Sequence, residues 1–233
     1  MHSPSLAGRG GDRIAFFGGS FDPPHLGHLA IARAARSALR LDAVLFAPVG
    51  VQPLKAQGST ASFEDRMAMT RLAIESERGF ELSLADAPRS GSAPNYTIDT
   101  LERLRAEMSP SSECYCLMGA DAFSSLRQWH RAAELPFVAT LIVASRPGQP
   151  LEELERALPE GLRLEPVQKR DQNLLVFALS DRNGRKAALY LLPNVQVEIS
   201  ASGIRSRIAA GGSTSGLIPE AVAHYIRIHD LYR

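Results

Sequence analysis

The chain has 233 residues, of which 45% are hydrophobic and 22% are charged, and its formal net charge is +1. This balance is that of an ordinary globular protein, and it excludes a low-hydrophobicity disordered chain. A charge so close to zero provides no overall basic field for a nucleic-acid backbone, so a phosphate ligand would need a local site.

The first residues contain no apolar run that could serve as the core of a signal peptide. No stretch approaches the roughly 20 apolar residues needed to span a bilayer. We therefore expect a cytoplasmic protein without a membrane segment, with residues 1–12 as a disordered extension and residues 13–233 as a single domain. Cys114 and Cys116 stand two apart in a predicted strand, and we interpret them as packed thiols from a reducing compartment.

Short apolar runs alternate with longer segments of helical periodicity along the chain. The runs predict strands, and the periodic segments predict helices at 26–39, 63–77 and 97–108, with Ser62 as the N-cap of the second. A Pro-punctuated stretch at 145–173 is less regular, with one short helical piece. The last segment, 219–232, predicts a helix with Pro219 at its first position. The predicted strands are 13–18, 43–47, 80–85, 114–118, 137–144, 174–179, 187–192 and 195–199.

Strands separated by helices of this length pair in parallel through right-handed crossovers. The order of elements therefore predicts an α/β fold, with a doubly wound and mostly parallel sheet. Sheets of this kind bind ligands outside the carboxyl ends of their strands.

The segment GGSFDPPHLGH, residues 18–28, lies where the first strand ends and the first long helix begins. His25 and His28 are three residues apart, so on an opening helical turn their rings fall on one face. A helix N-terminus adds free N–H groups and the positive end of a dipole, a combination that suits phosphate oxygens. A zinc site would be the rival, but no third Cys or His ligand is evident nearby. The segment also lacks the spacing of a P-loop and of a dinucleotide fingerprint.

A second segment, ISASGIR at 199–205, brings hydroxyls and a guanidinium to another predicted strand-to-helix junction. Ser200 and Ser202 are both good N-cap residues, and Arg205 follows on the helix. Hydroxyls, free N–H groups and a guanidinium together suit a polyphosphate. The alternative is simple helix capping beside a solvated Arg205.

Residues 18–28 resemble the GSFDPxHxGH signature of the nucleotidylyltransferase superfamily, and more closely the chain resembles the bacterial nicotinate-nucleotide adenylyltransferases. The resemblance covers roughly residues 13–233 and implies a Rossmann-like nucleotidyltransferase fold. Segment 199–205 resembles the family's ISSTxIR motif, although Ala201 and Ser202 replace the usual Ser-Thr pair. Leu54 stands where a His often precedes the family's Lys, here Lys55. Further matches are Asn95-Tyr96-Thr97, Gly119-Ala120-Asp121 with Trp129 shortly after, and the closing segment 219–232.

The resemblance assigns roles to residues in three groups. His25, His28 and Arg205 would be catalytic. Trp129 would stack on the pyridine ring of an acceptor nucleotide, although a core role remains open, and Asp121 and Thr97 could equally be helix N-caps. The predicted acceptor-binding residues are Asn95, Tyr96, Thr97 and Trp129. The predicted ATP- and phosphate-binding residues are Gly18, Gly19, Ser20, Phe21, Lys55, Gly119, Asp121, Ser200 and Ser202.

The implied reaction joins ATP to nicotinate mononucleotide and releases nicotinate adenine dinucleotide and pyrophosphate, by direct in-line attack. We expect Mg²⁺ as cofactor, held mainly by substrate phosphates and without a dedicated protein ligand set. Neither nucleic acid nor a membrane is an expected partner, and a homo-oligomer stays open. The alternatives are nicotinamide mononucleotide or another phosphate acceptor, and a nucleotide-binding sensor of the same fold without turnover. Phosphopantetheine enzymes resemble the chain less, because Thr usually stands at the position of His25.

Overall fold

The computed structural model confirms the α/β class: an eight-stranded, mostly parallel sheet with helices on both faces. It describes residues 11–54, 58–89, 93–145, 151–166, 174–193, 195 and 199–233. The strands are β1 Arg13–Gly19, β2 Ala43–Pro48, β3 Phe80–Leu82, β4 Glu113–Gly119, β5 Thr140–Ala144, β6 Arg163–Pro166, β7 Leu175–Ser180 and β8 Lys186–Leu192. The helices in these described residues are α1 Leu26–Leu39, α2 Phe63–Ile74, α3 Thr97–Glu107, α4 Ala120–Ser124, α5 Leu135–Val138, α6 Leu151–Ala157, α7 Ala201–Ala209 and α8 Glu220–Ile228.

The strand order is β3-β2-β1-β4-β5-β8-β7-β6. The first six strands in this spatial order run parallel to one another. At the far edge, β7 pairs antiparallel with β8 and β6 pairs antiparallel with β7, so β7 alone among the described strands runs in the opposite direction. The chain moves outward from β1 to β3 and then returns to place β4 on the other side of β1. This reversal opens a crevice at the carboxyl ends of β1 and β4, where ligands bind in such sheets.

The two faces of the sheet carry separate apolar clusters, because successive strand side chains point to opposite faces. Phe16 belongs to the cluster that also contains Leu101 of α3 and Leu154 of α6. Phe17 belongs to the other cluster, which is covered by α1, α2, α7 and α8. Cys114 and Cys116 are buried free thiols, as predicted.

Two predicted elements were wrong in type or extent. The apolar run 137–144 is not one strand, because its first part belongs to the short helix α5 and β5 starts only at Thr140. Pro136 in the first turn of α5 favours that start, and an apolar run alone cannot distinguish a helical turn from a strand. The final helix ends at Ile228 rather than at Tyr232, and Pro219 is its N-cap rather than its first helical residue.

Other boundaries moved by a few residues. Helix α2 ends at Ile74, three residues early, and β3 is three residues long instead of six. Strand β6 was not predicted, and helix α4 was expected only in the alternative that makes Asp121 a helix N-cap. The predicted strand 195–199 lies mostly outside the described residues, as do residues 1–10 of the predicted extension. The division into residues 1–12 and 13–233 stays a prediction.

Candidate active site

The histidine pair sits at the start of α1, immediately after the loop that leaves β1. His25 is the N-cap of α1, and His28 is the third helical residue. Their rings stack with centroids 3.6 Å apart and an interplanar angle of 23°. The backbone N–H of His25 donates to Nδ1 of His28 at 3.1 Å, which fixes the proton of a neutral His28 ring on Nε2. The spacing therefore predicted correctly that the two rings share a face.

Both imidazoles are held in their neutral form. Burial lowers the pKa of His25 to about 4. Burial, and secondarily the neighbouring His25, lower the pKa of His28 well below its ordinary value. Each ring is therefore a hydrogen-bond donor through one nitrogen at neutral pH, not a cation. Nδ1 of His25 is buried without a hydrogen-bond partner among the described residues, so it is a polar atom available to a ligand or to water.

The two glycines of the loop make room for aromatic rings rather than for a left-handed turn. A Cβ on Gly18 would lie 2.7 Å from the ring of Phe16, and one on Gly19 would lie 3.3 Å from the ring of Phe21. The positive φ of the loop, 47°, falls on Phe21, whose side chain is only 1% exposed. Phe21 in turn packs edge-on against the ring of His28, with centroids 4.9 Å apart. Phe21 thus positions His28 by direct contact.

One of the N–H groups at the start of α1 is already used by the protein. The N–H of Leu26 donates to the carbonyl of Leu217 at 2.9 Å, in the segment before α8. The prediction of free N–H groups at this helix N-terminus therefore does not hold for Leu26. This bond joins the loop to the segment that precedes the last helix.

Asp22, inside the same loop, is a buried carboxylate that connects four parts of the chain. It is 3% exposed and accepts the N–H of Thr60 at 2.6 Å, the N–H of Ala61 at 3.1 Å and the hydroxyl of Tyr232 at 2.7 Å. Arg205 of α7 donates through Nη1 to the Asp22 carbonyl at 2.8 Å. The residue therefore ties the histidine loop to α7, to the segment before α2 and to the turn after α8.

Arg66 on α2 holds the start of the histidine loop in place through its guanidinium. Its guanidinium donates to the carbonyl of Ser20 and to that of Val49, both at 2.8 Å, at the ends of β1 and β2. The side chain is 2% exposed, and burial lowers its pKa. Arginine nevertheless remains charged in proteins, so a positive charge lies beneath the candidate phosphate site.

The start of α7 supplies the second predicted phosphate group. Ser200 is the N-cap, and its Oγ accepts the N–H of Gly203 at 3.1 Å. Oγ of Ser202 lies 3.4 Å from Oγ of Ser200, and both residues are exposed. Within the described part of the chain, Arg205 makes hydrogen bonds through Nη1 alone, which leaves Nε and Nη2 for a ligand. Capping and ligand binding are therefore compatible here.

The other wall of the crevice starts where β4 ends. Gly119 is the N-cap of α4, and Asp121 is exposed in its first turn. The alternative in which Asp121 itself caps this helix was therefore wrong. Likewise Tyr96, not Thr97, is the N-cap of α3, although it makes no side-chain cap hydrogen bond.

Asn95 is 3% exposed, and its side chain is engaged within the protein. Its Oδ1 accepts the N–H of Val51 at 3.0 Å, and its Nδ2 donates to the carbonyl of Ala87 at 2.9 Å. These bonds join the loop after β2 to the segment before α3. The predicted contact of Asn95 with an acceptor nucleotide stays a prediction. In the structure, the Asn95 side chain holds these two loops together.

His130, which the sequence did not single out, lies against Tyr96 with ring centroids 4.3 Å apart. Its neighbour Trp129 is partly buried against the sheet core, and Trp129 Nε1 donates to Oγ of Ser125 at 3.1 Å. Trp129 thus packs partly into the core and keeps part of its surface exposed, which is compatible with the stacking role and with the core role. Arg131 holds this loop to α3 through ion pairs with Glu102 at 2.7 Å and Asp99 at 3.8 Å.

Sequence reasoning missed Asp22, Arg66, Tyr232 and His130. Asp22 lies within the motif. A carboxylate repels phosphate, so its presence in a loop predicted to bind phosphate indicated that other groups of the protein hydrogen-bond to it. Arg66 gave no signal, since an arginine in a helical segment resembles a solvated surface residue. The predicted phosphate contact Lys55 lies outside the described residues.

None of the helices in the described residues combines the length and apolar character needed to cross a bilayer. No group of three or more His, Cys, Asp or Glu side chains in the same ranges is arranged to hold a metal ion.

The sequence matches the family model described as cytidylyltransferase-like over residues 16–207. A probable nicotinate-nucleotide adenylyltransferase of Stenotrophomonas maltophilia is 43% identical over 94% of this chain and 96% of its own length. One of the same name from Laribacter hongkongensis is 41% identical, over 94% of each chain.

The fold is also similar to a solved structure, that of Plasmodium falciparum nicotinic acid mononucleotide adenylyltransferase complexed with NaAD. The TM-score is 0.69, with 95% of this chain and 97% of that chain covered. The sequence identity is only 18%, so this likeness speaks for the fold alone.

Proposed function

This chain belongs to the cytidylyltransferase-like family and groups with the nicotinate-nucleotide adenylyltransferases, and from that premise we propose that it transfers the adenylyl group of ATP to nicotinate mononucleotide. The products would be nicotinate adenine dinucleotide and pyrophosphate. The observation that carries the proposal is the neutral His25–His28 pair at the crevice between β1 and β4, joined to Arg205 through Asp22.

The reaction is a direct in-line displacement. An oxygen of the acceptor's 5′-phosphate forms a bond to the α-phosphorus of ATP, while the bond from that phosphorus to the β-bridging oxygen breaks. The electron pair of the broken bond leaves with pyrophosphate. Because the nucleophile is already an anion, no general base is needed, and catalysis consists of positioning and charge stabilisation.

The chain's own groups divide this work. The Nε2–H of His28 donates to a phosphate oxygen, where a neutral donor stabilises negative charge that grows in the transition state. Arg205, through Nε and Nη2, and the hydroxyls of Ser200 and Ser202 bind the departing pyrophosphate. Arg66 adds positive charge from below without contacting the ligand.

Mg²⁺ fits this site as an ion carried by the substrate. The carboxylate within the histidine loop, Asp22, accepts three hydrogen bonds on its two oxygens and so is a poor metal ligand. The triphosphate and water would therefore hold the ion, as Mg²⁺ prefers. When bound, it neutralises phosphate charge.

The cytoplasmic location is part of the same proposal. Two buried free thiols, Cys114 and Cys116, support it, because reducing compartments keep such pairs unoxidised.

The test is pyrophosphate release from ATP and Mg²⁺, with nicotinate mononucleotide and nicotinamide mononucleotide compared as acceptors. We expect release with a clear preference for the nicotinate form. Preference for the nicotinamide form would correct the substrate and keep the reaction. ATP binding without release in the presence of either acceptor would contradict the proposal and favour a sensor.

A further inference from the structure

We propose that Tyr232, in the turn that follows α8, is a positioning residue that keeps Arg205 available for the polyphosphate of the nucleotide. The proposal rests on the function proposed above. Tyr232 acts through Asp22, whose carboxylate stands between the tyrosine hydroxyl and the Arg205 guanidinium.

Asp22 and Arg205 are close enough to compete with a ligand. Nη1 of Arg205 lies 4.0 Å from Oδ2 of Asp22, beyond hydrogen-bond distance, and instead donates to the Asp22 backbone carbonyl at 2.8 Å. A carboxylate that turned towards the guanidinium could take it in a bidentate pair, the strongest arrangement open to these two groups. That pair would occupy the nitrogens that the polyphosphate needs.

Three donors hold the carboxylate in its present orientation. Oδ2 accepts the N–H of Thr60 at 2.6 Å, and Oδ1 accepts both the N–H of Ala61 at 3.1 Å and the hydroxyl of Tyr232 at 2.7 Å. Tyr232 is the only side chain among these three donors, and it makes the shorter of the two bonds to Oδ1. Burial, and the hydrogen bond to Asp22, raise the pKa of the Tyr232 phenol, so it stays protonated and donates.

The turn after α8 is shaped to deliver this hydroxyl. The backbone of Asp230 and of Tyr232 is left-handed, with φ of 54° and 66°. Such a conformation is unfavourable for residues other than glycine. The N–H of Leu231 closes the turn on the carbonyl of Ile226 at 3.0 Å. The chain therefore folds back over α2 after the helix ends, and the hydroxyl oxygen of Tyr232 lies 4.0 Å from Sδ of Met69 there.

The variant Tyr232→Phe keeps the ring and removes only the hydroxyl. The measurement is the dissociation constant of Mg²⁺-pyrophosphate by titration calorimetry on the full chain, with Tm as a check on folding. We expect the constant to rise about three- to ten-fold, the range for one hydrogen bond, while the Michaelis constant for nicotinate mononucleotide stays unchanged.

Tyr225→Phe is the matched control. Tyr225 also donates a hydroxyl to a carboxylate, Oδ1 of Asp65 at 3.0 Å, and it also joins the α8 region to α2. It has no hydrogen bond to Asp22 or Arg205 among the described residues. A merely structural role would make the two variants alike in pyrophosphate affinity, and this result would overturn the proposal.

A double-mutant cycle with Arg205→Ala separates action through Arg205 from other effects. In the Arg205→Ala background, Tyr232→Phe should leave pyrophosphate affinity unchanged. An equal further loss in that background, or unchanged affinity in the single Tyr232→Phe variant, would contradict the proposal. Binding can be measured without turnover, so an inactive wild-type protein would count against the proposed function and leave this test readable.

Discussion

The proposed phosphate side of the crevice, residues 18–28 with Arg66, is held by buried polar groups, whereas the loop of His130 and Arg131 on the proposed acceptor side is held to α3 by exposed ion pairs. Arg66 is 2% exposed and bonds two strand-end carbonyls. The side chains of Arg131 and Glu102, which connect the acceptor loop to α3, are 34% and 42% exposed. Exposed ion pairs contribute little, and salt screens them.

The proposed phosphate-binding half of the site is therefore fixed before a ligand arrives. Transition-state charge develops at the phosphates, and donors that must meet it have to be fixed in advance. The acceptor only has to be recognised, which a more adjustable loop can do. Substitutions on the phosphate side should therefore affect rate or folding, and those on the acceptor side should affect acceptor affinity.

The largest expected effect is that of His28→Ala. The change removes the Nε2–H donor and should lower kcat about 10²- to 10³-fold, the cost of one such donor. Tm serves as the check on folding, because the His28 ring also packs against Phe21 and His25. Steady-state pyrophosphate release measures the rate, with His224→Ala on the exposed side of α8 as control. Activity within a few-fold of wild type would remove His28 from the mechanism.

The next effect is on stability. Arg66→Met should lower the free energy of unfolding by about 2–4 kcal/mol, because the buried carbonyl of Val49 and the partly buried carbonyl of Ser20 lose a charged donor. Urea denaturation measures it, with Arg78→Met, exposed in the turn that follows the same helix, as the matched control. Equal stability of the two variants would mean that the phosphate side is not braced from below.

The pH dependence of stability sharpens the same contrast. Burial lowers the pKa of His25 from 6.5 to about 4, so the unfolded chain binds more protons than the folded one between these values. Stability should be complete above about pH 6.5 and should decline as the pH falls towards 4, by up to about 3 kcal/mol from this residue. The comparison is between wild type and His25→Gln in unfolding experiments from pH 4 to 7.5. Parallel curves would show that His25 is not neutral by burial.

The smallest effect is expected on the acceptor side. Trp129→Ala should raise the Michaelis constant for nicotinate mononucleotide several-fold, the worth of one aromatic stack, and leave kcat nearly unchanged. The matching measurement is Tm. A large fall in Tm with an unchanged Michaelis constant for nicotinate mononucleotide would assign Trp129 to the core. It would also contradict a role for Trp129 in acceptor binding.

Local pattern was sufficient for much of the fold. Helix α1 spans the predicted 26–39, because Pro23 and Pro24 precede a run with apolar residues at helical spacing and no breaker after Gly27. The same reasoning was wrong for the run 137–144, which was predicted as one strand. Apolar residues alone do not distinguish the end of α5 from β5.

The site divides in the same way. The stacked histidines follow from a spacing of three at a strand-to-helix junction, which is visible in the sequence. The contacts of Asp22 are not visible, because its partners Thr60 and Tyr232 lie 38 and 210 positions away. Local spacing carries no information on pairs formed only when the chain has folded.

The turn between β7 and β8 offers a practical use that follows from its geometry. Asp181 closes it alone, accepting the N–H groups of Asn183 and Arg185 at 2.9 Å. The turn precedes β8, which runs parallel to β5, so it emerges at the amino ends of the parallel strands, opposite the crevice. Asn183 within it is exposed and suits attachment, whereas Gly184 has a φ of 78° that a side chain would strain. A fluorophore or a surface tether attached here would report on the protein while leaving substrate access unobstructed.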